Sequence, residues 1–469
     1  MNRLTKALFD IGGEPIPEYP LNRLYKETLS IAWPSIVEGA LISIISSVDT
    51  MMVGSLGSSA IAAVGLCSQP RMILLVLAQA LCVGTTALIA RRKGEGNQAS
   101  ANSVLQQSLA IITFVGILIA LLGYFCAEPI LRLAGANEDT IVMSSTYFRI
   151  ISCALPCSCW TLCICAAMRA IGKTRITMVT NIVANLVNVC LNYCLINGNL
   201  GFPRMEVAGA ALATAIGTCV SAIVAIIFAS LPSGYLRIRL RHFFHFDRET
   251  VNGLMKVGSS SIAETVFLRV GFLINSRLVA GLGTANFAIF QVVSQVSSLS
   301  FTVGDGIAVA GTALVGQRLG AKRPDLAKAQ VRITRKLSII SAIFLMVTIT
   351  LLRYPIASLF SAEDDIISGA SVGFMVIVAG MIFQNGRIVY SGCLRGAGDV
   401  KFVAFASLVS VLVMRPILTY LLCYPLNNLM PWAMLAVTGP WLSFVVDSIV
   451  RNSLLLHRIN QGKWVLIKL

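Results

Sequence analysis

The chain has 469 residues, 56% of them hydrophobic and only 12% charged, an apolar share well above and a charged share about half that of a soluble domain. That composition excludes an ordinary soluble globular enzyme and places the chain in a bilayer. The formal net charge of +16 does not indicate nucleic acid, because the basic residues gather in short segments between apolar spans rather than on one soluble face.

In chain order, residues 1–28 carry Arg3, Lys6, Glu14 and Glu18, have no apolar core of a cleavable signal, and read as a cytoplasmic tail. A bilayer core of ~30 Å takes roughly 20 apolar residues per helical crossing. Twelve windows meet this: 29–54, 62–90, 104–126, 146–169, 176–197, 207–231, 252–281, 286–316, 336–360, 370–394, 402–424 and 432–457. The expected organisation is an N-lobe over 29–231, a cytoplasmic linker over 232–251, a C-lobe over 252–457 and a cytoplasmic tail over 458–469. With the N-terminus inside, the cytoplasmic segments hold 28 of the 37 Lys and Arg residues, and the outer loops hold Arg132, Arg204 and Arg353. This asymmetry predicts a multi-pass protein of the cell (inner, plasma) membrane with both termini cytoplasmic. The linker, with His242 and His245 among basic and aromatic residues, reads as an interfacial segment against anionic lipid. The 13 cysteines lie mostly within apolar spans and read as small packing residues rather than a metal site.

The chain repeats itself. "SIVEGALISIISSVDTMMVGSLG" (35–57) superposes without a gap on "SIAETVFLRVGFLINSRLVAGLG" (261–283), pairing Glu38 with Glu264, Asp49 with Asn275 and Gly57 with Gly283 at an offset of 226. The same offset matches Gln69 to Gln295, Arg92 to Arg318, and "MRAIGKT" (168–174) to "LRGAGDV" (394–400). Six spans per copy is even, so both copies enter the membrane from the same side. Parallel repeats of this kind are typical of transporters.

Enzyme motifs fail. "AIGKT" (170–174) lacks the first glycine of a phosphate loop, Ala167 standing in its place. "GAGD" (396–399) lies in a short turn with no second aspartate suitably placed for an acid pair. No cofactor and no enzymatic activity are expected. The remaining signal is ionisable groups within spans, which cost at least ~2.5–3.5 kcal/mol each at the bilayer centre and usually mark function. In the first span, Glu38 and Asp49 are eleven residues apart, which returns them to one helix face about three turns, ~16 Å, apart. The fifth span carries Asn181, Asn185, Asn188 and Asn192, an amide stripe down one face. Amides there complete a cation's coordination or hold a carboxylate's proton, the alternative being interhelical hydrogen bonding. Glu38 is a candidate partner of Arg71. Glu264, Arg269, Arg277, Asp305, Arg387 and Arg415 are candidates for structural ion pairs. A buried carboxylate that takes up H⁺ or Na⁺ on one side and releases it on the other couples transport to an ion gradient.

As a set, "VDTMMVGSLGSSAIAAVG" (48–65), "NYCLINGNLGFPRMEVAGAALAT" (192–214), "GTALVGQRLGAKRPDLA" (311–327) and "CLRGAGD" (393–399) resemble the multidrug and toxic-compound extrusion (MATE) family, of the MOP flippase fold. The resemblance covers nearly the whole chain. It implies an all-α integral membrane protein of twelve transmembrane helices in two pseudo-symmetric six-helix bundles. It also implies efflux of small organic, mostly cationic or amphipathic compounds by H⁺ or Na⁺ antiport with alternating access. A monomer without nucleic-acid partners is expected. Asp49 matches the family's first-helix aspartate. Pro34 matches the proline at which that helix bends in the DinF-like branch, and Asn192 that branch's fifth-helix asparagine. Ion coupling is thus expected at Asp49, Asn188, Asn192 and Glu38, with Na⁺ a candidate at Asp49 and Pro34 as hinge. The sequence departs from the pattern at Ile196, where the DinF-like branch has an aspartate, and at Leu268 and Gln384, where the NorM-like branch has acids. Glu264, one turn from 268, is a candidate replacement, and with Asn275, Gln295 and Gln384 makes up a candidate C-lobe polar site. Two alternatives stand beside antiport: a flippase for a lipid-linked precursor on the same fold, and a membrane scaffold or receptor.

Overall fold

The computed structural model describes residues 20–467 except 55, 137, 232–233, 239–245, 361–362 and 430–433. Most of the expected N-terminal tail, and the linker histidines His242 and His245, lie outside the described residues. Among the described residues nine helices are long and apolar enough to cross a membrane, and two bent pairs raise the number to eleven. Leu435–Asn460 completes the twelve; its Asp447 and Arg451 lower its hydropathy below that of the others. The chain is an all-α membrane protein.

The helices form where the sequence is apolar and stop where it supplies glycine. The first runs Leu21–Gly54 and continues through Pro34. Gly57, at φ 108°, caps the next helix, Ser58–Leu74, which bends 46° into Val76–Gly94. Gln98–Phe125 follows, and then the short Ala127–Leu133. The fourth span bends 49° between Glu138–Cys153 and Leu155–Ala170. Pro156, which has no N–H to give, sits in the first turn beyond that break. Thr174–Asn197 and Glu206–Ser230 complete the first repeat.

The second repeat uses the same punctuation 226 residues later. Gly283 (φ 102°) answers Gly57, Gly398 (φ 89°) answers Gly172 (φ 81°), and the short helix Arg353–Ser358 answers Ala127–Leu133. Its spans are Arg248–Ala280, Thr284–Gly320, Pro324–Leu351, Asp364–Ala397, a segment from Val400 and the final Leu435–Asn460. The segment from Val400 contains two π-helical turns, Leu408–Met414 and Leu422–Leu426. At the first, Gly271 lets the Val411 carbonyl approach to where a Cβ would stand only 2.5 Å from its oxygen.

Two compact units result, and their boundaries fall inside helices one and seven rather than in the loops before them. One unit comprises Val37–Ser259; the other comprises the chain up to Ile36 together with Ser260–Leu469. Within the second, Ile31 and Ala32 join an apolar core with Ile307, Leu314 and Val389. Gln330 donates to Thr28 (2.7 Å), and Arg318 pairs with Glu27. Within the first, the N-terminal end of the seventh helix packs at Gly84, where a Cβ would stand 3.1 Å from the Leu254 oxygen, and Arg92 bonds Glu249 at 3.1 Å.

Helix contacts rest on small residues, as expected where lipid removes the hydrophobic drive between helices. The third span shows it: Phe114, Leu118, Leu121 and Phe125 face outward, while Leu105, Leu109, Ile112 and Ile119 are buried. On its packed side a Cβ at Gly116 would stand 3.0 Å from the Pro156 Cα. The closest packing beside the amide stripe is at Gly209, where a Cβ would stand 2.6 Å from the Leu195 carbonyl oxygen and 2.8 Å from its carbon. Backbone cannot move aside as a side chain can, so Gly209→Ala is expected to destabilise by about 1–3 kcal/mol, read as a lowered midpoint of unfolding in detergent.

Candidate functional site

The amide stripe of the fifth helix meets the acids of the first. Glu38 and Asp49 are eleven apart, and so are Asn181 and Asn192. Asn181 Nδ2 donates to Glu38 (2.6 Å) and Asn192 Nδ2 to Asp49 Oδ1 (2.9 Å), each partner 143 residues away. A constant separation over three turns requires the two helices to run side by side in the same direction. Two carboxylates on one face therefore become two separate sites.

The Glu38 site is an ion pair with hydrogen bonds. Glu38 accepts from Thr177 Oγ1 (2.7 Å) and Asn181, and Arg169 stands 3.7 Å away. The expected Glu38–Arg71 pairing is corrected: Arg71 lies on the wall of the Asp49 cavity. The duplicate repeats the arrangement, since Glu264 takes Arg395 at 2.6 Å, and Arg169 and Arg395 follow their glutamates by the same 131 residues. Glu264 also takes Arg451 at 3.2 Å. A contact present in both repeats serves the architecture they share. Glu38→Ala is expected to cost about 1–3 kcal/mol of stability by stripping Thr177, Asn181 and Arg169 of their acceptor. The same variant, reconstituted, should keep the ion requirement of transport unchanged.

The Asp49 site is different. Asp49 lines a cavity of about 370 Å³ within the Val37–Ser259 unit, together with Thr50, Ser68, Arg71, Tyr147, Asn192 and Thr214. With its amide nitrogen assigned toward the acid, Asn188 donates to Oδ1 (2.8 Å) and Oδ2 (3.1 Å) while its oxygen accepts from the Thr214 N–H (3.2 Å), closer contacts than the 3.3 Å bonds to Thr214 Oγ1 and from Asn192 that the opposite assignment makes. Asn188 and Asn192 are buried, and the Asn192 Oδ1 has no hydrogen-bond partner among the described residues. A half-buried carboxylate held by two amides, with an orphaned amide oxygen beside it, is a donor set for a small cation: Asp49 supplies charge and the Asn192 oxygen a neutral ligand. It suits a proton equally well, because a protonated carboxyl donates to such an oxygen. Asn185 lies on the stripe between the two sites and is half-buried. Pro34 is buried in an unbroken first helix.

The four residues expected to form a C-lobe polar site do not come together. Glu264 is held in its arginine pairs. Asn275, the duplicate of Asp49, accepts from Thr419 Oγ1 (2.7 Å), and Gln384 Nε2 reaches the Ser297 carbonyl at 3.4 Å. Asn275 and Gln384 line one cavity, of which neither Glu264 nor Gln295 is a lining residue; Gln295 is exposed. Sequence reasoning missed Asp447 and Arg451. Asp447, fully buried, pairs with Arg415. The signal was an acid and a base four apart inside an otherwise apolar span.

The MatE family model matches twice, over residues 34–194 and 261–421. The chain is 25% identical over 439 residues to an uncharacterized transporter, YisQ, of Bacillus subtilis, covering 93% of this chain and 94% of that one. It is 25% identical over 452 residues to the probable multidrug resistance protein NorM of Thermotoga maritima (96% and 95% covered), and 27% identical over 403 residues to the multidrug resistance protein PmpM of Pseudomonas aeruginosa (84% of each). Among solved structures it resembles MATE in the bent conformation with a TM-score of 0.84 at 21% identity, covering 94% of this chain and 96% of that one.

Proposed function

The chain belongs to the MatE family of membrane transporters, and on that premise we propose that it exports small organic compounds by antiport against a cation bound at Asp49. One observation carries this reading: the Asp49 carboxylate sits in a polar cavity, bonded to Asn188 and Asn192, beside an amide oxygen that lacks a partner among the described residues. The broken symmetry supports it. The architecture repeats across the two copies at Glu38 and Glu264, whereas Asp49 is answered by the neutral Asn275.

In the proposed cycle an ion, H⁺ or Na⁺, neutralises Asp49. A neutralised carboxyl no longer holds both amide nitrogens as strongly, because hydrogen bonds to an ionised acceptor are about twice as strong as neutral ones. The grip between the first and fifth helices weakens, and the first helix bends at Pro34, where the ring removes one helical hydrogen bond. Release of the ion on the other side restores the grip. Glu38 takes no part in the exchange. The distribution of Lys and Arg supports both termini on the cytoplasmic side of the cell membrane, so that export follows an inward ion gradient.

The test is efflux of ethidium from proteoliposomes under separately imposed pH and Na⁺ gradients. Acceleration by one of the two supports antiport and names the ion. Equal rates with both gradients and with neither would remove the proposal.

A further inference from the structure

A second cavity lies wholly within the unit that contains Ser260–Leu469. It measures about 400 Å³, and its wall carries the aromatic rings of Phe272, Phe290, Trp441 and Phe444 together with Arg387 and Arg415. No residue that lines it is acidic. The two arginines differ in how they are balanced. Arg415 is paired with Asp447 and lies 4.8 Å from the Phe444 ring centre and 5.0 Å from that of Phe272. Arg387, only 5% exposed, donates from Nε to Ser448 Oγ at 3.3 Å and lies 5.6 Å from the Phe444 centre. Among the described residues no carboxylate pairs with Arg387, and its Nη groups make no hydrogen bond. Asp447 acts on it electrostatically but is itself bonded to Arg415.

A buried guanidinium without a paired anion is costly, since the desolvation of the charge is left uncompensated. A binding site resolves that cost when the ligand brings the anion. Another unpartnered donor stands in the same wall: the Trp441 Nε1–H is buried and has no acceptor among the described residues. The apolar part of a ligand also has its place, because Phe290 and Trp441 stack at 4.9 Å and Trp441 meets Phe444 edge-on at 6.0 Å. An apolar pocket with a few convergent polar groups is the usual form of a small-molecule site.

We propose that this cavity binds an organic anion, a carboxylate or sulfonate carried on an aromatic body, with the anionic oxygens on Arg387 and the ring among Phe272, Phe290 and Phe444. The inference rests on the export reading and adds, at this cavity, a class of solute beside the cation ethidium with which export is tested. That class is opposite in charge to the cationic compounds that the family resemblance implies. An anionic lipid offers the same oxygen chemistry, and the test separates the two sources.

The experiment measures equilibrium binding of radiolabelled 1-naphthoate and of 1-naphthylmethylammonium, which share a ring system and differ in charge, to the protein in phosphatidylcholine nanodiscs. Wild type should bind the naphthoate about tenfold or more tighter than the ammonium. Arg387→Gln should weaken naphthoate about tenfold, the loss of one charge-assisted contact, and Arg387→Lys should retain most of the affinity. Replacing part of the phosphatidylcholine by phosphatidylglycerol identifies the source: undiminished naphthoate binding assigns the cavity to a soluble anion, and competition assigns it to lipid, both with the proposed chemistry. Equal or tighter binding of the ammonium overturns the proposal, as does naphthoate affinity that is indifferent to Arg387→Gln. The wild-type preference decides the matter even if the glutamine variant does not fold. No gradient is imposed, so failure here leaves cation coupling at Asp49 standing, and failure of coupling leaves this result standing.

Discussion

Asp49→Asn is expected to reduce gradient-driven efflux to the level of protein-free vesicles while leaving the protein folded. The substitution is isosteric, and an asparagine still accepts from Asn192 and Asn188, which reach this position at 2.9 and 2.8 Å. What it removes is the one group in the cavity whose charge an ion can neutralise. An amide neither titrates in the accessible range nor balances a bound Na⁺, so neither ion can be exchanged. Asp49→Glu keeps the charge but lengthens the arm by a methylene against two fixed amides, and should give an intermediate rate. Unfolding midpoints of wild type and Asp49→Asn should agree. Efflux by Asp49→Asn at the wild-type rate would place coupling elsewhere.

Asp447→Ala is expected to destabilise the protein by about 3–5 kcal/mol, the cost of leaving one partner of a buried pair uncompensated. Asp447 is 0% and Arg415 1% exposed. The orphaned guanidinium would remain between the Phe272 and Phe444 rings, with Arg387 and Arg451 contributing like charge nearby. Asp447→Asn, which keeps an acceptor, should cost less. The double variant Arg415→Met with Asp447→Leu should recover most of the loss, since removing both charges leaves neither partner of this pair uncompensated. Unfolding of the three variants in graded denaturing detergent checks the order. Asp447→Ala with wild-type stability would mean that the pair contributes nothing in the folded state.

The amino-acid sequence made much of this legible, and its silence has physical causes. Span number, the duplication and the glycine punctuation follow from local rules of hydropathy and backbone conformation, so Gly57 and Gly283 announce the same turn in both copies. The Asp49–Asn192 contact was foreshadowed by two eleven-residue spacings on separate helices. Periodicity tells which residues share a face of one helix but not which helix that face will meet. Hence Arg71 reads as a partner for Glu38 on charge alone, whereas the fold turns it to the Asp49 cavity and gives Glu38 to Arg169. For the same reason the unit boundaries inside the first and seventh helices are invisible to hydropathy, which marks a crossing without saying which core each half of it joins. Asp447 and Arg451 were overlooked within an apolar window, and only their partners on other helices, Arg415 and Glu264, show what they do.

In the proposed cycle a cation exchanges at Asp49 as solute leaves, and the most direct measurement of that exchange is the counter-flux itself. Proteoliposomes loaded with ethidium and a pH-sensitive dye, bathed in ²²Na⁺, report dye export, proton entry and sodium entry in one experiment. Wild type should show entry of one of the two ions in fixed proportion to ethidium exported, and Asp49→Asn should show neither flux. Ethidium export that proceeds with no matching entry of H⁺ or Na⁺, or an ion flux that persists in Asp49→Asn, would contradict coupling at this carboxylate.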